Sequence, residues 1–273
     1  MKYLFVAGDP ISQSLSPVMH KAALIEAGLD DEFTYVSKRI DKPHLPKLVE
    51  ELNLRELIGG NLTHPLKQAM IPYLSALSPE AESIGAVNTV LATNDGIQGF
   101  NTDAPGFLQF IKNQEIPTNG KNILILGAGG AALAVAYTLV NNGAKLSIYN
   151  RTPIRGRQLI NKLIKFGPIT LQSEITTQDI DIIINTTSVG LNGIESPLPK
   201  EFFNSDQIVI DLIYNPIETP FLQLAKSQGA MTINGLMMFV FQGVLAFEIF
   251  TNVKPDVDVM LETVLSVLKG EEH

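Results

Sequence analysis

Residues 123–132 read Ile123-Leu124-Ile125-Leu126-Gly127-Ala128-Gly129-Gly130-Ala131-Ala132, an apolar run that ends in glycines and reopens into small residues. Four consecutive branched apolar residues predict a strand buried on both faces, of the kind found in parallel sheets. Gly127, Gly129 and Ala132 match the G-x-G-x-x-G/A pattern between a predicted strand and a predicted helix. The first glycine of that pattern permits a tight turn, and the second lets a pyrophosphate approach the backbone. The small third residue lets helix and strand pack closely. The uncharged stretch Asn122–Ala144 is long enough to raise the question of a membrane span, but three glycines clustered at 127–130 interrupt it midway. A buried strand, a glycine turn and a buried helix account for it better.

The next strand-like run, Lys145–Tyr149, opens into Asn150-Arg151-Thr152-Pro153-Ile154-Arg155. A dinucleotide site selective for NAD usually carries a carboxylate here for the ribose 2′-hydroxyl, whereas arginines suit a 2′-phosphate. Arg151 and Arg155 stand there with no acid between them, which points to NADP.

Further outward, strand-like and helical patterns alternate, the signature of α/β architecture. Strands are predicted at Tyr3–Ala7, Phe33–Val36, Glu56–Gly60 and Val87–Thr93, the last turning through Asn94-Asp95-Gly96 into a hairpin partner. Beyond Lys145–Tyr149 they continue at Thr170–Leu171, Ile180–Asn185 and Gln207–Asp211. Two helices close the chain, near Leu236–Phe250 and Asp256–Leu268, the second with Val257, Met260, Leu261, Val264, Leu265 and Leu268 on one face. The expected organisation is two α/β domains separated by a substrate cleft, the second of Rossmann type and binding NADP. Residues 1–103 with the closing segment 236–273 form the substrate-binding domain, and 104–235 the nucleotide domain.

Composition narrows the function classes. With 20 basic against 28 acidic side chains the net charge is −8, which disfavours nucleic acid as a partner. There is no cysteine, so disulfides and thiol chemistry are excluded, consistent with a cytoplasmic protein. His20, His44, His64 and His273 have no metal-ligand spacing, and no metal is expected. The short apolar N-terminus reads as a strand rather than a signal core.

Four polar clusters in the first half remain: Ser14-Leu15-Ser16-Pro17, Asn61 to Lys67, Ala86-Val87-Asn88-Thr89 and Asn101-Thr102-Asp103. In the second, an apolar run and two glycines deliver Asn61, Thr63 and Lys67 into a turn stiffened by Pro65. Ser16, Thr63, Asp103 and Thr152 each precede a proline at a predicted helix start, so each can be read as a helix cap. Taken together, hydroxyls, amides, one lysine and one aspartate are what a polyhydroxylated carboxylate requires. A lysine held beside an aspartate can move a proton to a carbonyl or from a hydroxyl.

In this combination the chain resembles the shikimate dehydrogenase family over nearly its whole length. The resemblance rests on Ser14-x-Ser16-Pro17, Asn61-x-Thr63-x-Pro65-x-Lys67, Gly85-Ala86-Val87-Asn88-Thr89 and Asn101-Thr102-Asp103. It continues through Gly127-x-Gly129-Gly130-Ala131, Asn150-Arg151-Thr152, Asn185-Thr186-Thr187-Ser188-Val189-Gly190 and Asp211-Leu212-Ile213-Tyr214-Asn215-Pro216, and ends with Asn234-Gly235-Leu236 through Met238 to Gln242. It implies reversible, NADPH-dependent reduction of 3-dehydroshikimate to shikimate, a step of aromatic amino-acid biosynthesis. Lys67 would be the general acid/base and Asp103 its partner and a substrate ligand. Ser14, Ser16, Thr63, Asn88, Tyr214 and Gln242 would bind the substrate. Gly127, Ala128, Gly129, Gly130 and Ala131 would hold the pyrophosphate, and Asn150, Arg151, Thr152 and Arg155 the adenosine phosphate. Leu212, Gly235 and Met238 would line the nicotinamide. The expected partners are this small-molecule substrate and cofactor, with neither nucleic acid nor membrane, in a monomer or homodimer.

Some positions depart from the family pattern: His64 replaces an apolar residue, Met237 and Ala104 replace glycines, Thr186 an alanine, and Pro79 an acid found in some relatives. Three other functions compete. A methylenetetrahydrofolate dehydrogenase has related architecture and also uses a lysine, but has no reason to carry the paired serines at 14 and 16 or the Asn101-Thr102-Asp103 run. A quinate/shikimate dehydrogenase would differ in substrate and cofactor tolerance, and the two arginines argue against its use of NAD. A non-catalytic NADP-binding sensor would be free to lose Lys67 or Asp103, and both are present.

Overall fold

A computed structural model describes residues 1–270 of the chain, and the reading of His273 falls outside them. The chain divides into two compact units, Met1–Gly106 with the stretch from Val240 onward, and Phe107–Phe239.

The first unit begins with β1 (Lys2–Gly8), α1 (Ser16–Glu26), β2 (Phe33–Arg39), α2 (Leu45–Asn53), β3 (Gly59–Leu62) and the short α3 (Leu66–Ala69). It continues with β4 (Ala76–Leu77), α4 (Pro79–Ile84), β5 (Thr89–Thr93), β6 (Gly96–Phe100) and α5 (Asp103–Asn113), within which the chain passes to the second unit. The strands form one mixed sheet in the order β2-β1-β3-β5-β6-β4. β1 lies parallel to both β2 and β3, while β5 runs antiparallel to β3 and β6. The predicted Asn94-Asp95 turn makes the β5–β6 hairpin, with Thr93 opposite Gly96. On one side Phe5, Leu45, Leu48, Leu52, Leu62, Leu66 and Val90 form a continuous apolar core.

Two predicted strands begin later than expected. The run at 56–60 yields a strand over Gly59–Leu62, so Asn61 belongs to β3 rather than to the turn, and 87–93 yields one over Thr89–Thr93. Pairing with β1 and β5 selects the residues of β3, with Val6 and Thr89 both opposite Asn61.

The second unit holds β7 (Asn122–Leu126), α6 (Gly130–Asn141), β8 (Lys145–Tyr149), α7 (Pro153–Leu163), β9 (Ile169–Leu171), β10 (Ile182–Asn185), β11 (Ile208–Asp211), α8 (Pro220–Ser227) and β12 (Met231–Asn234). Every neighbouring pair in this sheet is parallel, in the order β12-β11-β10-β7-β8-β9. That is the doubly wound order of dinucleotide-binding sheets, and its direction of winding reverses between β7 and β10, where such sheets bind ligands. Ile123, Leu124 and Ile125 are wholly buried, as expected of a central parallel strand. β12 was not foreseen, since Met231-Thr232-Ile233-Asn234 alternates apolar and polar residues over four positions only.

The chain leaves the second unit within α9 (Leu236–Thr251) and ends with α10 (Val257–Lys269). Gly243 of α9 comes so close to α1 that an added Cβ would lie 2.3 Å from Met19 Cε. Met260 and Val264 of the predicted apolar stripe are the wholly buried residues of α10. No helix among the described residues is long and apolar enough to cross a membrane.

Candidate active site

Lys67 lies in α3, one turn past the end of β3, and its carbonyl accepts the N–H of Val87 at 2.8 Å. That bond sets the lysine turn beside the segment that carries Asn88. Across the sheet edge, Asp103 opens α5, directly after β6. Lys67 Nζ donates to Asp103 Oδ2 at 2.6 Å, with both side chains largely buried. Asn88 Nδ2 donates to the other carboxylate oxygen, Asp103 Oδ1, at 2.9 Å and to Thr102 Oγ1 at 2.9 Å. Gln242 Oε1, from α9, stands 3.5 Å from the same amide nitrogen. The amide oxygen of Asn88 accepts the N–H of Thr102 at 2.7 Å, which fixes which way the amide faces. A carboxylate with both oxygens engaged cannot swing, so the lysine amine has a defined place.

Lys67, Asp103, Asn88 and Gln242 are therefore brought together. Thr63 sits half-buried in the turn just before Lys67, and its N–H donates to the Ala7 carbonyl at 2.9 Å. Ser14 and Ser16 meet at the start of α1, where the N–H of Ser16 donates to Ser14 Oγ at 3.4 Å. The reading of Ser16, Thr63 and Thr152 as helix caps fails: α1, α3 and α7 have no side-chain cap hydrogen bond. The hydroxyls that do cap helices are Ser78 and Thr219, and Asp256 does so with its carboxylate. Asn101 Oδ1 accepts the N–H of Ala104 in the first turn of α5, which leaves the Asp103 carboxylate to Lys67 and Asn88. His64 is exposed, and its carbonyl accepts the N–H of Asp9 at 2.9 Å. Among the described residues no group of three His, Cys, Asp or Glu could hold a metal.

Residues outside the predicted set take part as well. Asn61 Nδ2 donates to Thr89 Oγ1 at 3.0 Å, Thr89 Oγ1 to Asn88 Oδ1 at 3.1 Å, and Tyr35 Oη to Asn61 Oδ1 at 2.6 Å. Asn61 and Thr102 belong to the polar motifs and were visible as such. Tyr35 carried no signal in the sequence.

The second unit presents a different kind of site. Gly127 has φ +113°, in the region that favours glycine, and an added Cβ would stand 2.5 Å from Thr186 Oγ1. Thr186 in turn donates to the Leu126 carbonyl at 2.7 Å, so the threonine that departs from the family pattern closes the space over the first glycine. Over Gly129 the space is open, with nothing within 4 Å of an added Cβ. Gly129 is the N-cap of α6 and offers no side chain, so the first-turn amides of this helix remain available to an anion. Ala128, Gly130 and Ala131 complete this open turn, half-buried beside the exposed Gly129. These features fit a pyrophosphate.

At the end of β8, Asn150 Nδ2 donates to the Thr152 carbonyl at 2.8 Å and shapes the turn. Arg151, Thr152 and Arg155 are exposed, and neither arginine is ion-paired among the described residues.

Beyond β11, Gly235 packs so tightly on Leu212 that an added Cβ would lie 2.2 Å from its carbonyl oxygen, and Met238 is buried at the start of α9. Tyr214 belongs to this unit and stacks on Phe239 with ring centroids 4.2 Å apart. Buried Asp211 anchors the loop: it accepts from Thr219 Oγ1 (2.6 Å), Asn185 Nδ2 (3.0 Å) and the Ile213 N–H (3.1 Å). Burial pushes its pKa up to about 6 against the pull of those three donors.

Known proteins match this arrangement along the chain. Family models match residues 6–90 as a shikimate dehydrogenase substrate binding domain, 111–218 as shikimate/quinate 5-dehydrogenase, and 235–265 as a shikimate 5′-dehydrogenase C-terminal domain. Among curated relatives, shikimate dehydrogenase (NADP(+)) of Carboxydothermus hydrogenoformans is 40% identical, covering 95% of each chain. Its namesake from Methanococcoides burtonii is 42% identical over 98% of this chain and 99% of its own. The crystal structure of shikimate 5-dehydrogenase from Thermus thermophilus in complex with NADP(H) and shikimate superposes with a TM-score of 0.87 at 41% identity, covering 97% of this chain and 99% of that one. By sequence and by fold, this chain belongs to the shikimate dehydrogenase family.

Proposed function

We propose that the chain is a cytoplasmic NADP-dependent dehydrogenase that interconverts 3-dehydroshikimate and shikimate. The observation that carries this reading is the Lys67–Asp103 pair at 2.6 Å, held from behind by Asn88. In the reductive direction the Lys67 amine hydrogen-bonds the ketone oxygen and gives it a proton as negative charge develops there; in the oxidative direction it takes that proton back. Asp103 keeps the amine on the reacting oxygen and accepts a hydrogen bond from a substrate hydroxyl. Ser14, Ser16, Thr63, Asn88, Tyr214 and Gln242 bind the substrate's carboxylate and hydroxyls.

NADP(H), when bound, supplies or accepts the hydride. The chain's part is to hold it: the amides of Gly127–Ala131 would receive the pyrophosphate, Asn150, Arg151, Thr152 and Arg155 would take the adenosine phosphate, and Leu212, Gly235 and Met238 would line the nicotinamide. The roles follow two supporting observations, the open turn over Gly129 and the arginines free of acidic partners.

The test is formation of reduced cofactor, followed by its ultraviolet absorbance, with shikimate or quinate and with NADP or NAD. Turnover is expected to be fastest with shikimate and NADP. No turnover with that pair overturns the reading, and equal or faster turnover with quinate and NAD replaces it with the quinate dehydrogenase alternative.

A further inference from the structure

The deepest polar feature of the first unit is a chain of hydrogen bonds that starts in the core, away from the reacting groups. Tyr35, on the edge strand β2, is buried, and its side chain reaches past β1 to Asn61 on β3. The ring of His20, from α1, lies flat against the phenol, with centroids 4.3 Å apart and planes 3° from parallel. Phe247 and Phe250 of α9 close around His20. Among the described residues neither ring nitrogen of His20 has a hydrogen-bond partner, and burial lowers its pKa to about 3, so it stays a neutral packing surface. Between the flat stack and the single acceptor Asn61 Oδ1, the phenol has one orientation.

Direction then passes from link to link. Because Asn61 Oδ1 receives the phenol proton at 2.6 Å, the Asn61 NH₂ faces Thr89 Oγ1 at 3.0 Å. A hydroxyl that accepts there gives its own proton onward, to Asn88 Oδ1 at 3.1 Å. That bond and the N–H of Thr102, at 2.7 Å, together engage the Asn88 oxygen, so its NH₂ turns to Asp103 Oδ1 at 2.9 Å, and Asp103 presents Oδ2 to Lys67. Backbone groups share in holding both amides, the Asn88 carbonyl at Asn61 Nδ2 and the Thr102 N–H at Asn88 Oδ1, and buried networks of this kind are coupled beyond their separate bonds.

We propose that Tyr35 is a positioning residue for the Lys67–Asp103 pair, acting through Asn61, Thr89 and Asn88. It touches neither substrate nor cofactor. Its hydroxyl closes the far end of the amide chain that supports the carboxylate, and the flat face of His20 sets the hydroxyl. The inference rests on the dehydrogenase reading above.

The test compares Tyr35→Phe with the native enzyme. Phenylalanine keeps the ring and its stack on His20 and removes only the O–H. With one hydrogen bond lost to the network, kcat for shikimate oxidation is expected to fall about 3- to 10-fold, with little change in the KM for NADP. In an Asn61→Ala background, where the chain is already cut, Tyr35→Phe is expected to change kcat no further. A kcat equal to native, or a loss that multiplies in full with that of Asn61→Ala, overturns the proposal. A fall in melting temperature with unchanged kcat marks a purely structural tyrosine and also overturns it. Should Tyr35→Phe not fold, Thr89→Val cuts the chain two links further on while leaving the Tyr35–Asn61 bond in place, and carries the same expectation for kcat. Native enzyme inactive with shikimate and NADP would instead defeat the functional reading itself, so the two failures are distinguishable.

Discussion

The two units build their sites by opposite means. In the first, reactive side chains are buried and held by other side chains, with Lys67, Asp103, Asn88, Thr102, Thr89, Asn61 and Tyr35 linked by hydrogen bonds. In the second, the backbone does the work: an open glycine turn at a helix N-terminus and two exposed arginines on the following turn. A proton donor must be aimed to a fraction of an ångström, so its supports are preorganised. A long anionic ligand is bound by many weaker contacts, and amides and exposed arginines suffice.

That contrast predicts that changes in the first unit act on turnover and changes in the second on cofactor affinity. The largest effect is expected from Lys67→Ala, with kcat reduced by about 10²–10⁴ and NADP affinity unchanged. Near-native turnover would remove Lys67 from the mechanism, and a parallel loss of NADP binding would blur the contrast. Next comes Gly127→Ala, which forces a side chain into a left-handed conformation and against Thr186. Strain of about 1–3 kcal/mol should weaken NADP binding roughly 5- to 150-fold while kcat at saturating NADP holds. Adding Thr186→Ala should recover part of that loss by removing the 2.5 Å clash; no recovery would show that the backbone angle alone demands glycine.

Smaller again is the double variant Arg151→Ser/Arg155→Ser, expected to raise the KM for NADP about 10-fold or more and to leave that for NAD nearly unchanged. If both cofactors shift together, the arginines do not read the 2′-phosphate.

An effect of another kind, on stability rather than on kinetics, is read against pH. His20 is neutral in the fold, with a pKa of about 3 against an ordinary 6.5. The unfolded chain therefore binds one more proton between those values, and stability falls as the pH drops below about 6.5, by about 1.4 kcal/mol per unit from this residue. Asp211 works in the opposite sense. Its pKa rises from 3.8 to about 6, so over that interval the folded state binds the extra proton and gains stability as the pH falls. Denaturant melts from neutral to acid pH should show a flatter acid decline in His20→Phe than in native protein. An identical slope would mean that other groups govern it.

Much of the second unit was legible because its signals are local. A glycine turn, the strand before it and the residues after the next strand lie within about thirty positions and obey fixed geometric needs. The hairpin at Asn94-Asp95 and the buried face of α10 were legible for the same reason. What escaped were features settled by neighbours. Asn61 lies in β3 because β1 and β5 pair with it, and β12 exists because β11 offers it an edge. Ser16 and Thr152 looked like caps, but their helices form without a side-chain cap bond.

Residue types and their spacing were enough to establish the chemistry on hand: a dinucleotide turn, arginines where an acid would select NAD, and a lysine and an aspartate among hydroxyls and amides. Tertiary structure alone decided which of these meet. Lys67 and Asp103 are 36 residues apart, and Asn88 and Gln242 are 154 apart. The histidine that orients Tyr35 looked, in sequence, like any other. Residue types and short spacings record conformational limits that act over a few bonds. A hydrogen bond is short and directional, so its partner is chosen by the sheet order and helix packing that bring distant backbone together.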